Sequence, residues 1–406
     1  MDRWWLAVLL TTGMTLCYAQ RGTLSVAAPF MMRDLGVNAE TMGLMLSAFS
    51  WSYSFLQVPS GWVVDRFGVR RAYASGFVLW SIACALSGAF RRLAAIAAFR
   101  IAMGAGQSVA FPASARAVAN WFPDTERGFV NSSYLTGVRL GQALVNAAGV
   151  ALIALYGWRV FFVIAGLVPI LWIVPWLWTL RRWEPPGAMV PSAAGAPTRF
   201  TFASSFGLLR HPTVLGTFLG FFAFDYVWFV FVYWLPGYLR LERQFTPAQM
   251  AFYASVPFVV MSIVIVASGL ATDRLVARGW HEVRMRKTFI TIGFAFALAI
   301  VPAGLVRDNG TSVWLLLTSL CGLGIAAPNT WSLTQACCAK RLVGTVSGIQ
   351  NFGGNVGGII APWLTGAIAH RTGSFGPAFV LCGFILAGGV LAYWLLMNER
   401  VDTLEA

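Results

Sequence analysis

Two apolar stretches of helix length are separated by the sequence Gly61-Trp62-Val63-Val64-Asp65-Arg66-Phe67-Gly68-Val69-Arg70-Arg71. Residues 42–64 and 72–90, on either side of the connecting turn, contain no charged side chain, whereas the turn contains three arginines and one aspartate. A connection this short holds two helices antiparallel, and arginines beside a membrane-spanning helix are typical of the cytoplasmic side. The sequence therefore predicts a membrane protein whose orientation can be counted from this turn.

The composition supports the same class. Of the 406 residues, 58% are hydrophobic and only 11% are charged, whereas a soluble domain has about 25% charged residues. The net charge of +14 is spread over segment ends without a basic stripe, so we predict a lipid bilayer and no nucleic acid as partner. The six cysteines lie in or beside apolar segments without metal-site spacing, and we predict neither a metal nor another cofactor.

A helix needs about 20 apolar residues to cross a bilayer, and the chain contains twelve such stretches. They lie near residues 5–30, 42–64, 72–90, 93–121, 127–154, 158–180, 212–238, 248–271, 287–306, 311–338, 343–370 and 374–397. The longest polar stretch, residues 181–211, separates the sixth from the seventh. We therefore predict an all-α membrane protein with an N-terminal six-helix bundle (1–180), a cytoplasmic linker (181–211) and a C-terminal six-helix bundle (212–406).

The distribution of cations fixes the predicted orientation. With a cytoplasmic N-terminus, 17 of the 29 Lys and Arg residues fall in inside segments and eight fall in outside loops. Because cytoplasmic loops carry the excess of Lys and Arg, both termini are predicted to be cytoplasmic.

Two patterns recur half a chain apart. Gly61, three residues and Asp65-Arg66 are echoed by Gly269, three residues and Asp273-Arg274. The glycines of the fifth and eleventh stretches also match, in the pairs Gly128 and Gly344, Gly137 and Gly353, and Gly141 and Gly357. Parallel repeats of this kind are typical of secondary transporters, so the two six-helix halves are predicted to be pseudo-symmetric.

The turn resembles the signature loop of the major facilitator superfamily, Gly-x-x-x-Asp-Arg-x-Gly-x-Arg-Arg. The residues that match it are Gly61, Asp65, Arg66, Gly68, Arg70 and Arg71. Arg100-x-x-x-Gly104-x-Gly106 resembles the fourth-helix motif of the same superfamily, although more weakly. The resemblance implies the major facilitator fold, and it implies that the loop acts as a cytoplasmic latch; the alternative is a role in topology alone.

Further stretches resemble the anion:cation symporter family, which includes bacterial hexuronate, galactonate and glucarate transporters, animal sialin and vesicular glutamate carriers. They are Tyr18-Ala19-Gln20-Arg21, Trp121-Phe122-Pro123-x-x-Glu126-Arg127-Gly128, Trp234-Leu235-Pro236 and Gly348-Ile349-Gln350-Asn351-Phe352-Gly353-Gly354-Asn355. The resemblance implies a carrier rather than an enzyme, working as a monomer by alternating access in a bacterial inner membrane.

Ionisable residues at membrane depth are costly and therefore mark candidate sites. The only acid there is Asp225, whereas the cations are Arg21, Arg100, Arg116 and Arg139. A cavity with this positive bias favours an organic anion, because arginine pairs with carboxylates through two parallel hydrogen bonds.

Arg21 is the first candidate for the substrate carboxylate, with Tyr18 three residues before it on the same helical face. The family resemblance implies that both bind substrate, and that Tyr53 does so from the second helix. The repeat places Arg139 opposite Asn355, so we expect both to line the cavity. The alternatives are an Arg21 held by helix carbonyls, a Tyr53 in ordinary packing, and an Arg139 that snorkels or pairs with Asp225.

Polar residues of the second half supply candidates for reading substrate hydroxyls. They are Trp331, Ser332, Thr334, Gln335, Asn351 and Asn355. The amides among them are equally compatible with helix–helix contacts.

The chain departs from the family where proton-coupled members carry acids. Gln20 stands before Arg21 in place of an aspartate, and Gln107 stands seven residues after Arg100 in place of a glutamate. An amide cannot titrate, which leaves three alternatives: Asp225 carries the proton, the substrate brings it, or transport runs by exchange or by the membrane potential alone.

Two functions compete on these grounds. The first is a transporter of small organic anions, a sugar acid or another carboxylate, with proton coupling through Asp225 as one option. The alternative is a proton-driven multidrug exporter on the same fold, which would need acids to bind cations and finds only Asp225. A membrane sensor or an intramembrane enzyme ranks last, because the sequence contains no catalytic motif.

Overall fold

The computed structural model describes residues 3–183, 207–339 and 342–397, which form helices joined by short turns. Fourteen α-helices follow one another in this part of the chain. They are α1 (Arg3–Leu35), α2 (Ala39–Phe67), α3 (Val69–Ser87), α4 (Leu93–Gln107), α5 (Ala110–Trp121), α6 (Asp124–Leu167), α7 (Ile173–Trp183), α8 (Pro212–Leu241), α9 (Pro247–Ala277), α10 (Glu282–Ala297), α11 (Ile300–Leu305), α12 (Asn309–Cys337), α13 (Val343–Thr372) and α14 (Gly376–Leu396). Two short 3₁₀ helices, Val168–Trp172 and Leu208–Arg210, complete the set.

The twelve predicted stretches correspond to these helices, which confirms the predicted fold class. Most stretches are one helix each, while the fourth is the pair α4 and α5 and the ninth is the pair α10 and α11. The fifth and sixth stretches meet inside α6 at Gly157, where φ is 78° and ψ is 162°, and the sixth continues through a 3₁₀ helix into α7. By length and composition alone, seven helical segments of the described residues can cross a membrane. They are Leu93–Trp121, Phe129–Arg181, Pro212–Leu241, Pro247–Ala277, Glu282–Leu305, Asn309–Cys337 and Gly376–Leu396.

Contacts between residues divide the chain into two compact units. The first contains the described residues of 1–195 and 235–256, and the second contains those of 196–234 and 257–406. Of the predicted linker (181–211), residues 184–206 lie outside the described residues, whereas 181–183 end α7 and 208–210 form the second 3₁₀ helix. The domain boundaries at 180 and 212 stay a prediction.

The repeated glycines hold the equivalent helix pair together in each unit. In the first unit, a side chain at Gly137 or Gly141 of α6 would collide with the α1 backbone at Thr11 and Thr15. In the second, a side chain at Gly357 of α13 would collide with the α8 backbone at Tyr226. Small residues allow membrane helices to approach this closely, so each unit has the same glycine seam, defined here as the α1–α6 or the α8–α13 contact.

The signature turn consists of a single residue between two helices. Gly68 separates α2 from α3 with φ at 80° and ψ at 156°, a backbone conformation that is essentially limited to glycine. Its amide donates to Val64 O at 3.0 Å, and its carbonyl accepts from the amide of Ala72 at 3.1 Å. The buried Trp176 of α7 donates from its indole nitrogen to Arg70 O at 3.2 Å. The turn is therefore fixed both by its own backbone and by a neighbouring helix.

Candidate functional site

Arg21 of α1 is the centre of a cluster of polar and aromatic side chains in the first unit. Only 3% of the residue is exposed. Its Nε donates to Gln107 Oε1 at 3.2 Å, and its Nη1 donates to the Tyr18 hydroxyl oxygen at 3.2 Å. The predicted partnership of Arg21 with Tyr18 is thus present as a direct hydrogen bond.

Three aromatic rings surround the Arg21 guanidinium. Its Cζ lies 4.3 Å from the centre of the Tyr18 ring, 4.4 Å from that of Phe49 and 4.3 Å from that of Tyr53. Contacts of this length are cation–π interactions, which stabilise a charge without hydrogen-bonding it. Phe49 did not appear among the sequence-based candidates, although its position four residues before Tyr53 puts both on one face of α2. We refer to Arg21, Tyr18, Phe49 and Tyr53 as the arginine cage.

Arg100 of α4 contacts the backbone of Arg21, the central residue of the arginine cage. It is completely buried, its Nη2 donates to Arg21 O at 3.2 Å, and its Nη1 lies 3.3 Å from Met103 Sδ. Because its charge is directed at the α1 backbone next to the cage, Arg100 positions Arg21 and adds to the positive potential of this region.

Gln107 uses both ends of its amide. Its Oε1 accepts from Arg21, while its Nε2 donates to Cys17 O at 2.9 Å. An ionised glutamate can only accept hydrogen bonds, whereas a protonated one can accept and donate. Gln107 therefore reproduces the hydrogen bonding of a protonated glutamate and keeps it at every pH.

Gln20 is turned away from the cage. Its Nε2 donates to Ser81 Oγ and to Ala165 O, both at 3.0 Å, and its Oε1 accepts from Trp80 Nε1 at 2.6 Å. The amide again donates and accepts at once, so an ionised carboxylate would lose the donor part of this network. The structure places Gln20 between α1, α3 and α6; its coupling role stays a prediction.

Arg139 lies on α6 between the two glycines of the seam and is half-buried. It is close enough to Tyr18 to act on that residue electrostatically. One and two turns further along α6, Gln142 and Asn146 are buried, and Gln142 Nε2 lies 3.4 Å from Asn146 Oδ1. The sequence analysis did not include these two amides among the candidates. Their spacing of i+3 and i+7 from Arg139 puts all three residues on one face of α6 and would have identified them.

Asn146 also joins α6 to the start of α9. Its Nδ2 donates to Ala254 O at 2.8 Å, and Ser255 Oγ donates to Ala143 O at 3.1 Å. These two bonds account for part of the contact by which residues 235–256 belong to the first unit.

Asp225 lies on α8 in the second unit and is half-buried. It sits on α8 against Gly354 of α13, where any side chain would collide with its Oδ2. The Phe221 ring, one turn earlier on α8, also contacts Gly354 and meets the Trp331 ring edge-on at 5.1 Å. The structure thus brings Asp225 and Trp331 to one cluster by way of Phe221 and a glycine.

The remaining candidates of the second unit differ in what their side chains can offer. Asn355 is buried and donates from Nδ2 to Asn351 O at 2.8 Å, within α13. Thr334 is buried, and its hydroxyl donates to Thr330 O at 3.2 Å. Ser332 and Asn351 are half-buried, and Gln335 is exposed. As substrate ligands these residues stay predictions, and Thr334 is already committed to its own helix.

The signature turn and its repeat at Gly269–Arg274 both contain an aspartate followed by an arginine. The side chain of Asp65 lies outside the described residues, whereas Arg66 and Arg71 are exposed and Arg70 is half-buried. In the echo, Asp273 Oδ1 accepts from Arg286 Nη2 of α10 at 2.8 Å.

The same Arg286 also bonds inside the second unit. Its Nη1 donates to Thr272 Oγ1 at 2.9 Å and to Asn329 Oδ1 at 3.3 Å. The sequence analysis did not identify Arg286 or Asn329 as candidates. Arg286 could have been identified as an arginine on the helix that follows the Asp273-Arg274 pair.

The model of the Major Facilitator Superfamily matches residues 10–362. The D-galactonate transporter of Escherichia coli O6:H1 is 30% identical over 97% of this chain and 95% of the relative. The hexuronate transporter of Bacillus subtilis strain 168 is 31% identical over 92% of this chain and 90% of the relative. Among solved structures, an inward-facing bacterial homolog of the human lysosomal transporter Spinster has a TM-score of 0.80 at 18% identity, covering 98% of both chains, and shares the fold.

Proposed function

Since this chain belongs to the Major Facilitator Superfamily and is an integral membrane transporter of the anion:cation symporter type, we propose that it carries small organic anions, sugar acids or related carboxylates, by alternating access. Its relatives are named as transporters and not as enzymes, and the relatives from Escherichia coli and Bacillus subtilis are named for galactonate and hexuronate. We further propose a monomer in a bacterial inner membrane with both termini in the cytoplasm, which the excess of cations in the inside segments supports.

The arginine cage is the main observation that supports an anionic substrate. It fixes a guanidinium at membrane depth by three rings and two hydrogen bonds, and Arg100 and Arg139 add positive charge nearby. A carboxylate that reaches this guanidinium gains charge-assisted hydrogen bonds in a region of low dielectric. Tyr18 and Tyr53 supply hydroxyls, and we propose that Ser332, Gln335, Asn351 and Asn355 read the hydroxyls of the substrate from the second unit.

Uptake of labelled carboxylates by proteoliposomes tests this function. Arg21→Ala removes the guanidinium and should lower uptake about 30-fold or more, the scale expected when one member of a buried charge pair is truncated. Arg21→Lys keeps the charge without the planar fork and should give an intermediate loss. Arg33→Ala, at the exposed end of the same helix, is the matched control and should transport normally.

The unfolding temperature of each variant separates a lost ligand from a lost fold. Wild-type uptake by a stable Arg21→Ala protein would remove Arg21 from the site. Transport of cationic drugs in place of every carboxylate would instead establish the multidrug exporter.

For coupling, we propose that Asp225 takes up the proton. The two positions of the first unit at which the family resemblance implies acids hold amides, and Gln107 is hydrogen-bonded as a protonated glutamate would be. Asp225 is the one acid that the sequence places at membrane depth. An aspartate that alternates between environments can bind and release a proton.

Asp225→Asn should therefore flatten the pH dependence of net uptake and leave substrate exchange intact. The measurement compares both modes across a pH series, with Glu242→Gln, just beyond the end of the same helix, as control. An unchanged pH profile would exclude Asp225 and leave exchange, the membrane potential, or a proton carried by the substrate.

A further inference from the structure

A cavity of about 410 Å³ opens at the end of the second unit where α10 begins and α14 ends. The described residues that line it are His281, Val283, Arg284, Lys287, Trp394 and Met397. Among these, two are cations and one is a histidine. This site is separate from the Asp225 cluster and belongs to no part of the proposed transport mechanism.

The charges of α10 are sorted between two faces. Arg286 pairs with Asp273 at 2.8 Å and with Glu282 at 3.5 Å on one face. Arg284 and Lys287 are on the cavity face. The cavity face of α10 therefore presents two cations, while the ion pairs of Arg286 lie on another face of the same helix.

Lys287 and Trp394 form a fixed wall of the cavity. Only 4% of Lys287 is exposed, and its Nζ lies 5.5 Å from the centre of the Trp394 ring. The indole nitrogen of Trp394 donates to Thr291 Oγ1 at 2.8 Å, which holds the ring against α10. Tryptophan beside lysine is the arrangement found where a membrane protein passes from hydrocarbon to headgroups.

The two helices that line the cavity also expose apolar side chains within their membrane-spanning segments. They are Leu391 and Leu395 of α14 and Ile292 of α10. A molecule that placed an anionic group between Arg284 and Lys287 could lay hydrocarbon over these residues. That combination of chemistries is the one that a phospholipid offers.

We propose that this cavity binds the phosphate of an anionic phospholipid headgroup, with the acyl chains along α10 and α14. Basic pockets at helix ends are suited to such headgroups, and each nearby Lys or Arg strengthens the attraction. In the proposed orientation the lipid belongs to the cytoplasmic leaflet. Its binding would stabilise the second unit at the junction of α10 and α14.

The test measures the affinity of the full chain for phosphatidylglycerol by native mass spectrometry and by thermal unfolding in detergent. Phosphatidylglycerol should bind and raise the unfolding temperature, whereas phosphatidylcholine should do neither. The apparent affinity should fall about fivefold for each cation removed in Arg284→Gln and in the double variant Arg284→Gln, Lys287→Gln. Arg274→Gln with Arg278→Gln removes two exposed charges near the end of α9, outside the cavity lining, and should leave the affinity unchanged.

Three outcomes would overturn the proposal. Equal losses in the cavity variant and in the Arg274 and Arg278 control would show a diffuse charge effect in place of a site. Equal binding of phosphatidylcholine would show a hydrophobic contact. Stabilisation by inorganic phosphate that matches that by phosphatidylglycerol, and that is lost in the same variants, would show a site for a free anion. Because Lys287 is buried, the exposed Arg284→Gln variant keeps the test valid if the double variant does not fold.

Discussion

At the scale of single residues, the two glutamines near Arg21 show how an amide can replace an acid without disturbing its neighbours. Gln107 and Gln20 are both buried, and each donates and accepts hydrogen bonds. A carboxylate can reproduce either network only while it carries a proton. The Arg21 charge is accordingly not neutralised by either position at any pH, which is consistent with its proposed role as a ligand of an anionic substrate.

Gln107→Glu tests this interpretation. At neutral pH the new carboxylate should pair with Arg21, lose the bond to Cys17 O and compete with the substrate, so uptake should fall about tenfold or more. As the pH is lowered and the glutamate becomes protonated, the original hydrogen bonds return and uptake should recover. The measurement is the uptake rate across a pH series, with the uncharged Gln107→Met as control.

A parallel loss in Gln107→Met at all pH values would show that the amide matters for structure alone. Uptake by Gln107→Glu that is independent of pH would contradict the proposed competition between the new carboxylate and the substrate.

At the scale of elements, the turn between α2 and α3 depends on one backbone conformation. Gly68 has positive φ, so its replacement by any residue with a Cβ costs about 1–3 kcal/mol. Gly61 lies inside α2, and a Cβ there meets nothing within 4 Å. The two glycines of the same motif therefore have opposite tolerance for a side chain.

Gly68→Ala should lower the unfolding temperature of the purified protein, while Gly61→Ala should leave it unchanged or raise it slightly, because alanine favours the helix by up to about 1 kcal/mol. Thermal unfolding in a single detergent compares the two directly. Equal destabilisation of both variants would contradict this explanation, because, of the two, only Gly68 has a backbone conformation that a side chain disfavours.

At the scale of the whole molecule, the sequence predicted the number of spans, their approximate bounds and the internal repeat. Hydrophobic length and the spacing of Gly137 and Gly141 against Gly353 and Gly357 are local properties, so they could be read without coordinates. Side-chain partners could not: Phe49 was hidden among many aromatic residues, and the ion pair of Asp273 with Arg286 joins separate helices. The direction of Gln20, away from the cage, likewise depends on α3 and α6.

The fixed protonation state of Gln20 and Gln107 has a consequence for the work that the carrier can perform. An anion that enters a cell without a compensating proton moves against an interior-negative voltage, at a cost of about 2.3 kcal/mol for each charge and 100 mV. That cost corresponds to a concentration ratio of about 50-fold in the outward direction. If neither Asp225 nor the substrate brings a proton, the same structure becomes an efflux pathway or an exchanger of metabolites. On the proposed mechanism, the proton on Asp225 is therefore what allows a cell to gain carbon through this protein.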